Sequence, residues 1–202
     1  MFQLVEETMK TAEVFGAEYV VVHFPVTPTT GVNGLSLAQQ KAIDWDSAQH
    51  QAEFSERHRI PIHLEGFGPS PFLTVDFLNE VAGRFRCLQY CFDTGHMHIA
   101  SQRDGFDLYD FARRLAPNIG SVHIWNNRDI QDYVTFGHIP VHPAQKPEDG
   151  WVDVARVLRM IVPSNPGCRV IFESGMRYPE SLGAHDFREG VEWVRDLTAP
   201  LF

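Results

Sequence analysis

Five short apolar runs in this chain each end on a side chain that can bind a proton or a metal. YVVVH closes on His23, IPIHLE on Glu65, LQYCFD on Asp93, IGSVH on His123 and CRVIFE on Glu173. Short apolar runs of this kind read as strands covered on both faces, the pattern of parallel sheets. A carboxylate at the end of such a strand is costly unless it is paired or bound to a cation. The segments between the runs carry helical patterns. Leu4, Val5, Met9, Ala12 and Val14 recur at helical spacing, and Gly16 follows as a terminator. Helices are also predicted over Ser36–Arg57, over Val75–Phe85 behind a Thr74 cap, and over Phe106–Ala116, Trp151–Ile161 and His185–Leu197. Each strand-helix unit spans roughly 30 residues, as in a βαβ repeat.

This alternation defines an α/β chain. With 202 residues and 44% apolar side chains it has material for one sizeable core, so a single domain over 1–202 is expected. A net charge of −9 argues against nucleic acid as a partner, because phosphate binding requires a basic patch. Three cysteines are too few for a disulfide framework, and Cys87 and Cys91 fall in or beside one apolar strand, where burial explains them. The opening MFQLVEETMKTAEVFGAEY is acidic and amphipathic, neither a signal peptide nor a membrane span. The expected location is the cytoplasm, with no membrane partner.

In parallel α/β folds the C-terminal strand ends form the functional face. Taken singly, each of the five side chains is an ordinary helix cap, surface carboxylate or hydrogen-bonded histidine, and Asp93 suits the cap of a following helix. Five at equivalent positions point to one rim. His96, just past Asp93, and His138, in a loop where a short extra strand would fall, are placed to join it. Carboxylates gathered there repel one another, and a divalent ion relieves that repulsion. Mixed imidazole and carboxylate donors suit Zn²⁺ or Mn²⁺. His63, deeper in its strand, is read as a core or supporting histidine. His98 and His142 are not expected to be ligands, and His50, His58 and His185 are expected at the surface.

The ordered segments VVVHFP, IPIHLEG, FDTGHMHI, SVHIWNNRD, GHIPVHPAQKPEDGWVDV and VIFESGMR resemble the xylose-isomerase-like (β/α)8 TIM-barrel superfamily, in its sugar isomerase and epimerase branch. The resemblance implies one divalent ion, Mn²⁺ or Zn²⁺ with Mg²⁺ or Co²⁺ as alternatives, held by Glu65, Asp93, His123 and Glu173. The two glutamates double as the acid/base pair for enediolate proton transfer on a sugar, sugar acid or sugar phosphate. It assigns the substrate contacts to His23, His96, Arg128 and His138. An alternative branch, endonuclease IV, implies a three-zinc phosphodiesterase. Phe136 stands where that branch has a carboxylate, and one of its histidines has no counterpart here. Gly66 follows Glu65 where many relatives have Asn.

The family barrel has eight strands, and about 250 residues are typical. Aligned by motif, the chain starts in the helix before the third strand, so an incomplete barrel of about six parallel strands is expected. Two open strand edges would then invite pairing with another chain, giving a homodimer or larger assembly. An incomplete barrel also allows a third function class, a non-catalytic metal- or sugar-binding remnant.

Overall fold

A computed structural model describes residues 2–24, 34–66, 74–175, 178–179 and 186–201. The chain divides into two compact units, Met1–Cys91 and Phe92–Phe202. The described residues form a five-stranded sheet in the order β1-β2-β3-β4-β5, with eight α-helices between and around the strands.

The first unit begins with α1 (Phe2–Phe15), which buries Val5, Met9 and Ala12. Leu4 and Val14, grouped with them by spacing, face solvent at 73% and 84% exposure. Their offsets fall outside the arc covered by the other three. Gly16 ends the helix at φ +64°, its N–H bonded to the Glu13 carbonyl at 3.1 Å. Strand β1 (Val20–His23) pairs in parallel with β2 (Ile62–Glu65), and the register sets His23 opposite Glu65. Between them runs α2 (Leu37–His58), started by a reciprocal box in which Ser36 and Gln39 cap each other's backbone N–H. Its buried face is largely polar, with Gln40, Asp44, Ser47, Gln51 and Ser55 interleaved with Ala48 and Ala52. Thr74 caps α3 (Val75–Arg84), as expected, by accepting from the Phe77 N–H. The buried Tyr90 of β3 (Leu88–Asp93) donates its hydroxyl proton to the Leu78 carbonyl of α3 at 2.7 Å. Parallel pairing of β2 with β3 joins Ile62 to Leu88 and Leu64 to Tyr90.

In the second unit, α4 (Thr94–Asp104) starts directly from β3, with Asp93 as its cap. Next come α5 (Leu108–Leu115), β4 (Ile119–Ile124), α6 (Ile130–Phe136), α7 (Val154–Ile161), β5 (Arg169–Phe172) and α8 (Phe187–Thr198). Every residue of β4 is buried. Its parallel register with β5 pairs Ser121 with Arg169 and Ile124 with Phe172. Val157, Leu158 and Ile161 of α7 and Leu115 of α5 are inaccessible to solvent and form the apolar centre of this unit.

The sixth strand expected near His138 is not among the described strands. The chain there makes one isolated antiparallel bridge, Asn126 with Ile139, before turning into a loop. Pro140 follows at once, and proline cannot donate to a continuing ladder. Among the described residues no helix is long and apolar enough to cross a membrane.

Candidate metal centre

The second unit gathers three of the expected donors. Asp93 is the last residue of β3, His123 lies one residue before the end of β4, and Glu173 follows β5 directly. The parallel register of β4 and β5 brings His123 and Glu173 to one edge of the sheet. The Glu173 N–H extends the ladder to the Ile124 carbonyl at 3.3 Å. One ligand atom from each of Asp93, His123 and Glu173 lies within 4.8 Å of the others. Donors on a single ion stand about 3–4 Å apart when each bond is near 2.1 Å, so small side-chain rotations close the set.

The carboxylate of Asp93 does two jobs. Its Oδ1 accepts the His96 backbone N–H at 2.6 Å, which caps α4, and its Oδ2 accepts the Trp125 indole N–H at 2.8 Å. Each oxygen keeps a second lone pair, so the capping role leaves Asp93 able to bind a cation as well. His123 Nδ1 stands 2.9 Å from Glu173 Oε2. Asp93 and His123 are buried, whereas the Glu173 side chain is 42% exposed and open to a ligand. A half-dry set of one imidazole and two carboxylates fits a divalent cation of borderline hardness.

In the first unit, Glu65 ends β2 with its side chain buried, and His23 ends β1 beside it, exposed, with Nε2 3.7 Å from Glu65 Oε2. His63 is buried and stacks on Tyr19 at 4.2 Å between ring centroids, a core role as expected.

Four rings surround the donors of the second unit. His138 stacks on Trp125 with centroids 4.1 Å apart and planes 11° from parallel. The His96 ring stands edge-on to Trp125, Tyr133 and His138 at 5.0–5.4 Å. His138 Nδ1 lies 2.8 Å from the Glu173 carbonyl, so it carries the proton and donates, leaving Nε2 for other partners. Arg128 also belongs to this unit, but its guanidinium grips Asp132 through two hydrogen bonds, at 2.8 and 2.7 Å, and lies over the Trp151 ring.

The other described histidines have partners of their own. His98 Nδ1 is 3.2 Å from the Asn127 carbonyl, and burial holds the pKa of His98 below its usual value despite that bond. His142 is buried and bonds Glu189 at 2.9 Å. His58, expected at the surface, has a side chain only 8% exposed, with Nδ1 3.0 Å from Glu13 Oε1, because the end of α2 packs on α1. His50 is partly exposed, and His185 lies outside the described residues.

Sequence reasoning passed over Trp125, Tyr133, Asn126 and Asn127. Asn126 is buried and organises the loop ahead of α7, donating to Gln145 Oε1 and the Val152 carbonyl while accepting from the Val152 N–H. The signal was present as the run WNN at the close of β4, an aromatic read as the last strand residue followed at once by two polar amides.

An α/β framework whose strand ends carry acid and imidazole donors has the donor set to hold a metal ion. The chain belongs to the xylose isomerase-like TIM barrel family, whose model matches residues 2–197. Solved structures of similar fold include a D-tagatose 3-epimerase-like protein, 17% identical over 99% of this chain and 69% of that one, TM-score 0.65. The 3-keto-D-glucoside 4-epimerase YcjR from E. coli is 14% identical over 96% of this chain and 70% of that one, TM-score 0.64. The IOLI protein with a bound zinc atom is 16% identical over 98% of this chain and 68% of that one, TM-score 0.60. A search of curated proteins finds no match.

Proposed function

We propose that this chain is a divalent-metal-dependent sugar isomerase or epimerase that moves a proton beside a carbonyl through an enediolate. The observation that carries the reading is the convergence of Asp93, His123 and Glu173 at the strand ends of a family rich in sugar epimerases. Glu65 is the fourth ligand of the proposal. Asp93, His123, Glu173 and Glu65 would hold the ion, Mn²⁺ or Zn²⁺ in first place with Mg²⁺ and Co²⁺ as alternatives, and when bound it would supply Lewis-acid polarisation of a substrate carbonyl and its adjacent hydroxyl.

The chain's own residues divide the remaining work. Glu65 and Glu173 form the acid/base pair, one taking the carbon-bound proton and the other returning it to the same carbon or its neighbour. His96 and His138 offer ring nitrogens to the substrate hydroxyls, and the Nδ1–H of His138 is already committed to the Glu173 carbonyl. His23 lines the site beside Glu65. Arg128 acts on the substrate only by loosening its grip on Asp132. We extend the proposal to a single-domain, cytoplasmic homodimer or larger assembly with a small sugar, phosphorylated or free, as its partner.

Elemental analysis of the purified protein, joined to deuterium wash-in from D2O over a panel of ketoses and their phosphates, tests the reading. One divalent ion per chain and deuterium on a carbon next to a carbonyl are expected. Three ions per chain would redirect the assignment to a phosphodiesterase. One ion without exchange on any ketose would make the protein a metal-binding remnant.

A further inference from the structure

Three consecutive residues, Asp93, Thr94 and Gly95, all close on one residue about thirty positions downstream, Trp125: Asp93 and Gly95 on its indole, Thr94 on its backbone. Asp93 Oδ2 accepts its N–H at 2.8 Å. The Thr94 hydroxyl donates to the Trp125 carbonyl at 2.6 Å and accepts its backbone N–H at 3.2 Å. Gly95 leaves the space that the ring occupies, since a Cβ there would fall 2.3–2.4 Å from three of the indole carbons. Trp125 is fully buried. A buried indole needs one acceptor, and any backbone carbonyl would serve. Here the acceptor is the carboxylate of a candidate ligand, and the opposite demand, a fixed carboxylate, is met by the same bond.

We propose that Trp125 is a positioning residue for the Asp93 ligand. Its N–H pins Oδ2 while the His96 backbone N–H pins Oδ1, so the carboxylate plane is set before a cation arrives. The face of the same indole holds the His138 ring, which also bonds the Glu173 carbonyl. One buried side chain therefore braces the carboxylate at the end of β3 and the backbone of the ligand that follows β5. Partners that orient metal ligands in this way commonly govern affinity by about 10–100-fold. The inference rests on the reading of Asp93 as a ligand given under the proposed function.

The test is Zn²⁺ affinity, measured by competition with a chromophoric chelator on metal-stripped protein, for wild type and Trp125→Phe. Phenylalanine keeps an aromatic ring against His138 and removes the N–H. Binding weaker by about 10–100-fold is expected, with little change in the melting midpoint of the metal-free protein. A lowered midpoint with unchanged Zn²⁺ affinity would reduce Trp125 to a core residue and overturn the inference. A second measurement needs no variant at that position. The chain has four tryptophans. In ¹H–¹⁵N spectra of the wild type, the Trp125 indole cross-peak, identified after Trp45→Phe, Trp151→Phe and Trp193→Phe assign the others, should move on saturation with Zn²⁺. An unmoved peak also overturns the inference. Wild type that binds no Zn²⁺ removes the ligand reading and this inference together, whereas equal binding by wild type and Trp125→Phe removes this inference alone.

Discussion

The imidazole Nδ1 of His123 lies 2.9 Å from Oε2 of Glu173, fifty residues later in the chain. The two side chains reach each other because β4 and β5 run parallel in register and end together. The contact orients Glu173, which is otherwise a half-exposed carboxylate free to rotate.

Replacing Glu173 by Gln keeps an oxygen for that contact and removes the ability to take a proton. Deuterium wash-in into the substrate should fall by about 10²–10⁴-fold, the usual worth of a positioned acid or base. Mass spectrometry of the ketose after incubation in D2O checks it, and undiminished exchange would remove Glu173 from the proposed acid/base pair.

Gly95 and Gly83 should respond to alanine with opposite signs. At Gly95 the new Cβ collides with the Trp125 ring, and overpacking of this kind costs about 1–3 kcal/mol. At Gly83, inside α3, a Cβ meets nothing within 4 Å, so alanine should stabilise the helix by about 0.5–1 kcal/mol. Urea denaturation of the two variants beside wild type reads both changes.

Tyr90→Phe removes the hydroxyl that bridges β3 to the Leu78 carbonyl. Burial pushes the pKa of this phenol far up, so it remains a neutral donor across the whole working range. A loss of about 1 kcal/mol is expected for one net hydrogen bond, again read by denaturation.

Asp132 supplies a pH-dependent contribution. Burial opposes its charge, but hydrogen bonds from the Arg128 guanidinium and backbone N–H outweigh burial and hold its pKa below the ordinary carboxylate value. A group depressed in the folded state stabilises the protein above its unfolded pKa, near 4, and loses that contribution as the pH falls through the folded value. Asp132→Asn should therefore cost about 1 kcal/mol at neutral pH, modest because Arg128 is partly exposed, and the gap to wild type should close below about pH 4. Thermal melts of both proteins from pH 7 to pH 3 measure it.

Much of the fold was legible because strand signals are local. Leu88–Asp93 was read to the residue, and Thr74 and Gly16 act as predicted. Two helices escaped. In α4 the buried positions are Thr94, Gly95, Met97 and Ala100, too weakly apolar to show a helical period. In α6 the one buried residue is Asp132, so the hydrophobic pattern is silent. Asp93 illustrates a subtler limit, since cap and ligand were weighed as rivals and its two oxygens accommodate both.

Composition and periodicity by themselves settled that strands alternate with helices and that donors stand at the strand ends. Both follow from rules that act within a few residues: apolar runs bury, and a strand's last side chain emerges at the sheet's edge. Tertiary structure alone decided that Trp125 would lie between Asp93 and His138, and that Arg128 would hold Asp132. It also turned the expected sixth strand into a single bridge at Asn126 and Ile139. Such choices depend on where the chain returns after a loop and which rings then compete for the same space. No local pattern encodes that outcome.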